Sequence, residues 1–159
     1  MALSVSVQFA ANAKHLPGRA QVRRWAAAAH DAAADGAVTI RYVDEKEGRA
    51  LNRQYRGKDN ATNVLTFVQE PPLAPFAPAA ATSAKRRYAA DIVICAPVIA
   101  REAREQRKPV AAHHGHMVVH GMLHAQGFDH EDEADATTME AIEVAVLRRF
   151  RIKNPYEVE

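Results

Sequence analysis

The sequence predicts an α+β fold: one domain, a small mixed β-sheet of about four strands packed with about five helices, and a metal site on a buried helix. Three observations carry this. Short β-branched runs interleave with segments of helical periodicity, which places strands and helices around one sheet. One helical segment, 110–126, is apolar almost all round except for a stripe of histidines, so it belongs inside the fold with a slot for an ion. The 159 residues suffice for one real core and form a single domain, 1–159.

Residues 2–9 alternate Leu3, Val5, Val7 and Phe9 with Ser4, Ser6 and Gln8, which reads as a strand. Pro17 then opens a helix to about residue 35, with Val22, Trp25, Ala29 and Ala33 on one face and Gly36 as its stop. A short β-branched strand follows over 38–43. Asp44, with Glu47 three residues on, resembles a capping box for a helix that buries Leu51 and Tyr55 and ends at Gly57. Residues 63–69 set Leu65 and Phe67 against Val64, Thr66 and Val68, a second alternating strand. The segment 71–84 holds four prolines and no periodicity, and reads as a surface loop or lid. Residues 88–95 are nearly all apolar, as in a strand covered on both faces. Pro97 starts a basic helix reaching about Lys108, and Pro109 separates it from the apolar helix 110–126. A last helix, roughly 132–151, aligns Met139, Ile142, Val146 and Phe150, with acids in its first turn and arginines in its last. The tail from Ile152 carries no functional signal.

Composition excludes several classes. The net charge of +2 does not mark a nucleic-acid binder by its total. The charge is segregated, however: Arg49, Arg53, Arg56 and Lys58 cluster on or just after one helix, Lys85, Arg86 and Arg87 before a strand, and Glu131 to Asp135 is acidic. Such segregation presents a basic face without a basic total. No apolar run approaches the ~18–20 residues of a membrane span. The single cysteine, Cys95, excludes an internal disulfide framework, reads as core packing and fits a cytoplasmic address.

The chemistry concentrates in His120-Gly-Met-Leu-His124-Ala-Gln-Gly127-Phe-Asp-His130. Histidines four apart share a helix face and can meet one ion. Gly127 can take the positive φ that ends the helix, so that His130 folds back as a third ligand. Three imidazoles leave a fourth position for water, which is how a hydrolytic zinc site is built. The spacing is that of the zincin pattern HExxHxxGxxH, except that Gly121 stands where the glutamate base would be. His116 belongs to the same stripe, but it lies about 12 Å of helix rise from His124, too far to share a tetrahedral ion. It is a candidate for the outer shell or for facing substrate, and Asp129 for a ligand or outer-shell acceptor. His15 and His30 read as surface residues; Trp25 and Tyr55 could stack on bases, but at their helical spacing each reads as core.

These residues place the chain in a known context. Leu51-Asn-Arg-Gln-Tyr-Arg56-Gly-Lys-Asp59, Thr62-Asn-Val-Leu-Thr-Phe67, Asp91-Ile92 and the histidine block resemble the YbeY family of zinc-dependent endoribonucleases, which act in ribosomal RNA maturation. The resemblance implies one Zn2+ ion on His120, His124 and His130, with Arg56 joining them as the arginine important for the RNA function. It implies cleavage of single-stranded ribosomal RNA at small-subunit ends, and the small ribosomal subunit with its assembly factors as partners, with no membrane. The chain departs from the family pattern at Asn63 (commonly Asp), Ala90 (Gly), Val68 (Pro) and in an expanded 71–84 loop.

Three functional readings follow. The first is metal-assisted phosphodiester cleavage, with Asp91, His116 or activated water as base, or an RNA 2′-hydroxyl as nucleophile. The second is a zincin-like peptidase or amidase, which the missing glutamate opposes. The third is a non-catalytic small-subunit assembly factor with a structural zinc.

Overall fold

Alternation in the strands builds a sheet with two differently covered faces. The computed structural model describes residues 2–12, 15–69, 86–129 and 132–157. Its elements are β1 (Leu3–Ala10), α1 (Arg19–Ala29), β2 (Ala34–Val43), α2 (Glu45–Arg56), β3 (Val64–Gln69), β4 (Arg86–Cys95), α3 (Ala96–Glu105), α4 (Val110–Ala125) and α5 (Glu133–Arg148). The four strands lie in the order β1-β2-β4-β3. β1, β2 and β4 run parallel, and β3 pairs antiparallel with β4 at the edge. The expected mixed sheet with five helices is thus present. The expected 71–84 loop lies outside the described residues.

Even-numbered residues of β2 and β4 (Val38, Ile40, Tyr42, Ala90, Ile92 and Ile94) face the main core, which α1, α4 and α5 cover. Odd-numbered Val43, Val93 and Cys95 face a smaller core with Leu65 of β3 and Val98 of α3. Leu51 of α2 and Phe67 pack on that second core. Burial raises the Cys95 thiol pKa, consistent with an inert packing residue.

Three expectations need correction. α1 ends at Ala29, not near residue 35, and residues 34–36 begin β2. The cause is long-range: the Gln126 amide donates to Ala29 O at 2.8 Å and accepts from Asp31 N–H at 2.8 Å. Gly36 is a strand residue where any side chain would overlap the Tyr88 ring. His30 is not a plain surface residue, since its Nδ1 shares a hydrogen bond with the Tyr88 hydroxyl. Finally, Tyr55 is exposed rather than core. Gly48, 3.1 Å at its would-be Cβ from Cys95 Sγ, sets α2 close to β4, so Gly48 and Asn52 are the buried residues and Tyr55 overhangs the edge.

The helix ends follow local chemistry better. Asp44 accepts from Glu47 N–H at 3.0 Å, as a capping residue should. The Glu47 carboxylate does not close the box but pairs with Arg41 at 2.7 Å. Gly57 ends α2 at φ 70°, where a Cβ would be strained.

The core contains a titratable weak point. His114 is buried on α4 with its ring 5.5 Å from that of Tyr42. Burial, helped by the neighbouring His113, lowers its pKa to about 4. Burial also lowers that of His113, despite its hydrogen bond to Glu102. Below about pH 6.5 the unfolded chain takes up protons that the folded chain refuses, so stability falls as pH drops from 6.5 toward 4. His114→Phe is expected to flatten the fall in unfolding free energy over that window, read from urea denaturation, by up to about 1.4 kcal/mol per pH unit. A variant with the same pH slope as the parent protein would show that His114 is not the cause.

Candidate metal centre

α4 is surrounded on most of its circumference, and the histidine stripe is where it meets polar partners. Gly115 lets the helix approach Trp25 of α1, and Gly121 lets it approach Ile92 of β4. The stripe at 113, 116, 120 and 124 recurs every three or four residues and meets Glu102 of α3 at His113 and Glu143 of α5 at His116 and His120. Side-chain exposure rises along it, from 4% at His113 to 9% at His116 and 19% at His120. The site therefore opens toward the C-terminal end of α4. There Gly127, at φ 98°, turns the chain, and Phe128 N–H returns to Leu123 O at 3.0 Å.

Glu143 of α5 organises the stripe. It is fully buried, and its Oε1 lies 2.8 Å from His120 Nδ1 while its Oε2 lies 2.7 Å from His116 Nε2. Tyr156, beyond α5, donates its hydroxyl to the same Oε2 at 2.5 Å and sits edge-on to the His116 ring. Burial alone would keep Glu143 protonated, but the hydrogen bonds from His116, His120 and Tyr156 outweigh it and hold the carboxyl at about 2. An ionised carboxylate only accepts, so His116 Nε2 and His120 Nδ1 both carry their protons toward it. His120 is left with its lone pair on Nε2.

That Nε2 lies 3.1 Å from His124 Nε2. Two imidazole nitrogens on one tetrahedral zinc ion stand about 3.3–3.4 Å apart, given bonds of roughly 2.0–2.1 Å. The pair fits a shared ion with little adjustment. Among the described residues, His116, His120 and Glu143 also bring ligand-type atoms within 4.8 Å of one another. The 2.7 and 2.8 Å separations in that group are hydrogen-bond lengths, shorter than two ligands of one tetrahedral ion allow. As placed, Glu143 fixes the orientation of the His120 ring, as a carboxylate behind a histidine ligand does in metal sites.

Of the expected site residues, the structure brings His120 and His124 together. His130 lies outside the described residues. Arg56 occupies the exposed last turn of α2. Its neighbour Tyr55 rests on Phe67 of β3, and β3 in turn packs against α4. His116 is enclosed by Glu143 and Tyr156, with its side chain 9% exposed. The Asn63 amide donates to Glu102 at 3.1 Å, where an aspartate would set carboxylate against carboxylate. Sequence reasoning missed Glu143 and Tyr156. The available signal was a glutamate on the apolar stripe of α5, between Met139 and Val146.

Known proteins share this arrangement of sequence. The family model described as Endoribonuclease YbeY matches residues 8–151. A relative named Endoribonuclease YbeY from Thiobacillus denitrificans is 53% identical over 156 residues, 97% of this chain and 96% of its own. One of the same name from Aromatoleum aromaticum is 48% identical over 157 residues, 97% of this chain and 92% of its own. The solution structure of TM1509 from Thermotoga maritima has a similar fold, with a TM-score of 0.55 at 20% identity, covering 97% of this chain and 99% of that one.

Proposed function

The chain belongs to the endoribonuclease YbeY family, and on that premise we propose that it cleaves single-stranded ribosomal RNA during small-subunit maturation, as one domain using one zinc ion on His120, His124 and His130. The observation that carries the reading is the convergence of His120 and His124 Nε2 at 3.1 Å, with Glu143 holding the first ring. Three imidazoles suit zinc and leave a coordination position open. When bound, the ion supplies Lewis acidity toward water or a phosphoryl oxygen. Glu143 keeps the His120 lone pair on Nε2, and Tyr156 keeps Glu143 in place. Arg56 offers a planar fork that grips a phosphate with two parallel hydrogen bonds.

Neither side chain considered as a base fits this site. His116 is enclosed by Glu143 and Tyr156. Asp91 shares the strand face of Val93 and Cys95, the face away from α4. Activated water or the RNA 2′-hydroxyl remains as the source of the nucleophile. The peptidase reading fails on Gly121, which is closed against Ile92. No helix among the described residues is long and apolar enough to cross a membrane. A cytoplasmic location beside the small subunit and its assembly factors fits the proposed substrate.

Arg56→Ala and His124→Ala are each expected to accumulate unprocessed small-subunit RNA ends in cells and to abolish RNA cleavage by purified protein. Chelation should do the same, with zinc restoring activity. Normal processing by both folded variants would overturn the nuclease reading and favour an assembly role.

A further inference from the structure

We propose that the Tyr55 ring is a stacking platform for an unpaired base of single-stranded RNA, flanked by a cationic phosphate track of Arg53, Arg56 and Lys58. The inference rests on the nuclease reading and gives its substrate a second point of contact, away from the histidines.

Tyr55 is 59% exposed, the most exposed large hydrophobic side chain among the described residues. It does not hang free. Its ring meets Phe67 edge-on at 5.0 Å between centroids, and Phe67 is seated on the second core. One side of the ring is thus supported, and solvent has access to the rest. A pre-set aromatic surface costs little ordering when a base lands on it, and every base has a π-face to offer.

The surrounding charge selects the partner. Nearby Arg41, Arg49 and Arg101 are each engaged, with Glu47, Asp59 and Glu45. Arg53, Arg56 and Lys58 are exposed and make no ion pair within 4 Å among the described residues, although Arg53 lies close enough to feel the Asp59 carboxylate that Arg49 holds. The loop carrying Lys58 is held on both sides. Arg49 grips Asp59 through two bonds of 2.9 Å, and the Asn52 amide donates to Asn60 O at 2.7 Å. Gly57 in the left-handed conformation makes the turn between α2 and this loop. The helix dipole accounts for cations in a last turn, but not for an aromatic ring exposed among them. Free cations around a supported ring are the combination that single strands recognise, phosphates on the charges and a base on the ring. A duplex, with its bases already stacked, has no base to offer.

The test compares binding of a short labelled oligouridylate and of its abasic counterpart by fluorescence anisotropy. Tyr55→Ala is expected to weaken the base-bearing strand by about 5- to 100-fold and to leave the abasic strand unchanged. Tyr55→Phe and Tyr55→Trp should bind both strands as the parent does, and Arg56→Ala should weaken both. Circular dichroism checks that the alanine variant keeps its fold. If Tyr55→Ala binds the base-bearing strand as tightly as the parent, or weakens both strands equally, the platform is refuted while the nuclease reading stands. If the parent binds neither strand and cleaves no ribosomal RNA, both fall.

Discussion

Glutamine at Glu143 is expected to weaken zinc binding by about 10- to 100-fold, the usual cost of losing a carboxylate behind a histidine ligand. Alanine is expected in addition to destabilise the protein by about 3–5 kcal/mol, because the buried His116 and half-buried His120 ring N–H groups lose their shared charged partner. The geometry explains why the two substitutions differ. Glu143 accepts from His120 Nδ1, His116 Nε2 and Tyr156 Oη, with separations of 2.8, 2.7 and 2.5 Å. An amide fills the same space but turns a donor toward at least one of these donors. His120 is then free to carry its proton on Nε2, where it cannot bind an ion. Tyr156→Phe removes one hydrogen bond and leaves the carboxylate, so its effect should be nearer 1 kcal/mol. Titration against a chromophoric chelator reads the affinity, and urea denaturation of the metal-free protein reads the stability. Acid adds a further signature. The Glu143 pKa is lowered in the fold to about 2, so its contribution is complete above the ordinary carboxylate range and is lost as pH falls from about 4.5 toward 2. Wild-type zinc affinity in folded Glu143→Gln would show that Glu143 does not orient the ligand.

The same residue shows what the sequence could and could not reveal. α4 was legible because its signals are local: an apolar run, histidines at helical spacing, and Gly127 placed to turn the chain, which it does at φ 98°. The mixed sheet was legible for the same reason, since alternation in β1 and β3 and a nearly continuous apolar run over residues 88–95 of β4 distinguish an edge from an interior strand. The end of α1 was not, because Gln126 sets it from nearly a hundred positions away. Tyr55 misled because period alone puts it one turn after Leu51, whereas the close approach of Gly48 to Cys95 decides which face of α2 is covered. Glu143 was hidden among the carboxylates of an amphipathic helix, and only its place on the apolar side set it apart. Both of the missed partners, Glu143 and Tyr156, act on histidines that the sequence did identify. Ligands leave a motif, while the groups that orient them are assembled by tertiary packing.

Introducing the zincin glutamate at Gly121 is expected to unfold the protein rather than create a peptidase. Gly121 faces the sheet, and a Cβ there would come within 2.8 Å of Ile92 Cγ2. Ile92 is fully buried and β-branched, so its methyl cannot swing aside cheaply. Alanine alone should cost about 1–3 kcal/mol through overpacking. Glutamate adds length and a carboxylate aimed at Ile92, and an unpaired buried polar group costs roughly a further 2–7 kcal/mol. The sum rivals the whole stability of an ordinary domain, about 5–15 kcal/mol. Gly121→Ala should therefore fold with a lowered urea midpoint, and Gly121→Glu should be recovered insoluble or without native circular dichroism. The expectation separates two sites that look alike in one dimension. The same His-x-x-x-His spacing serves a general base in zincins because the next residue faces the substrate; here that residue is the point of contact between α4 and β4. A folded Gly121→Glu protein with the parent's melting temperature would show that the helix can rotate away from the sheet, and peptide turnover by it would reopen the peptidase reading.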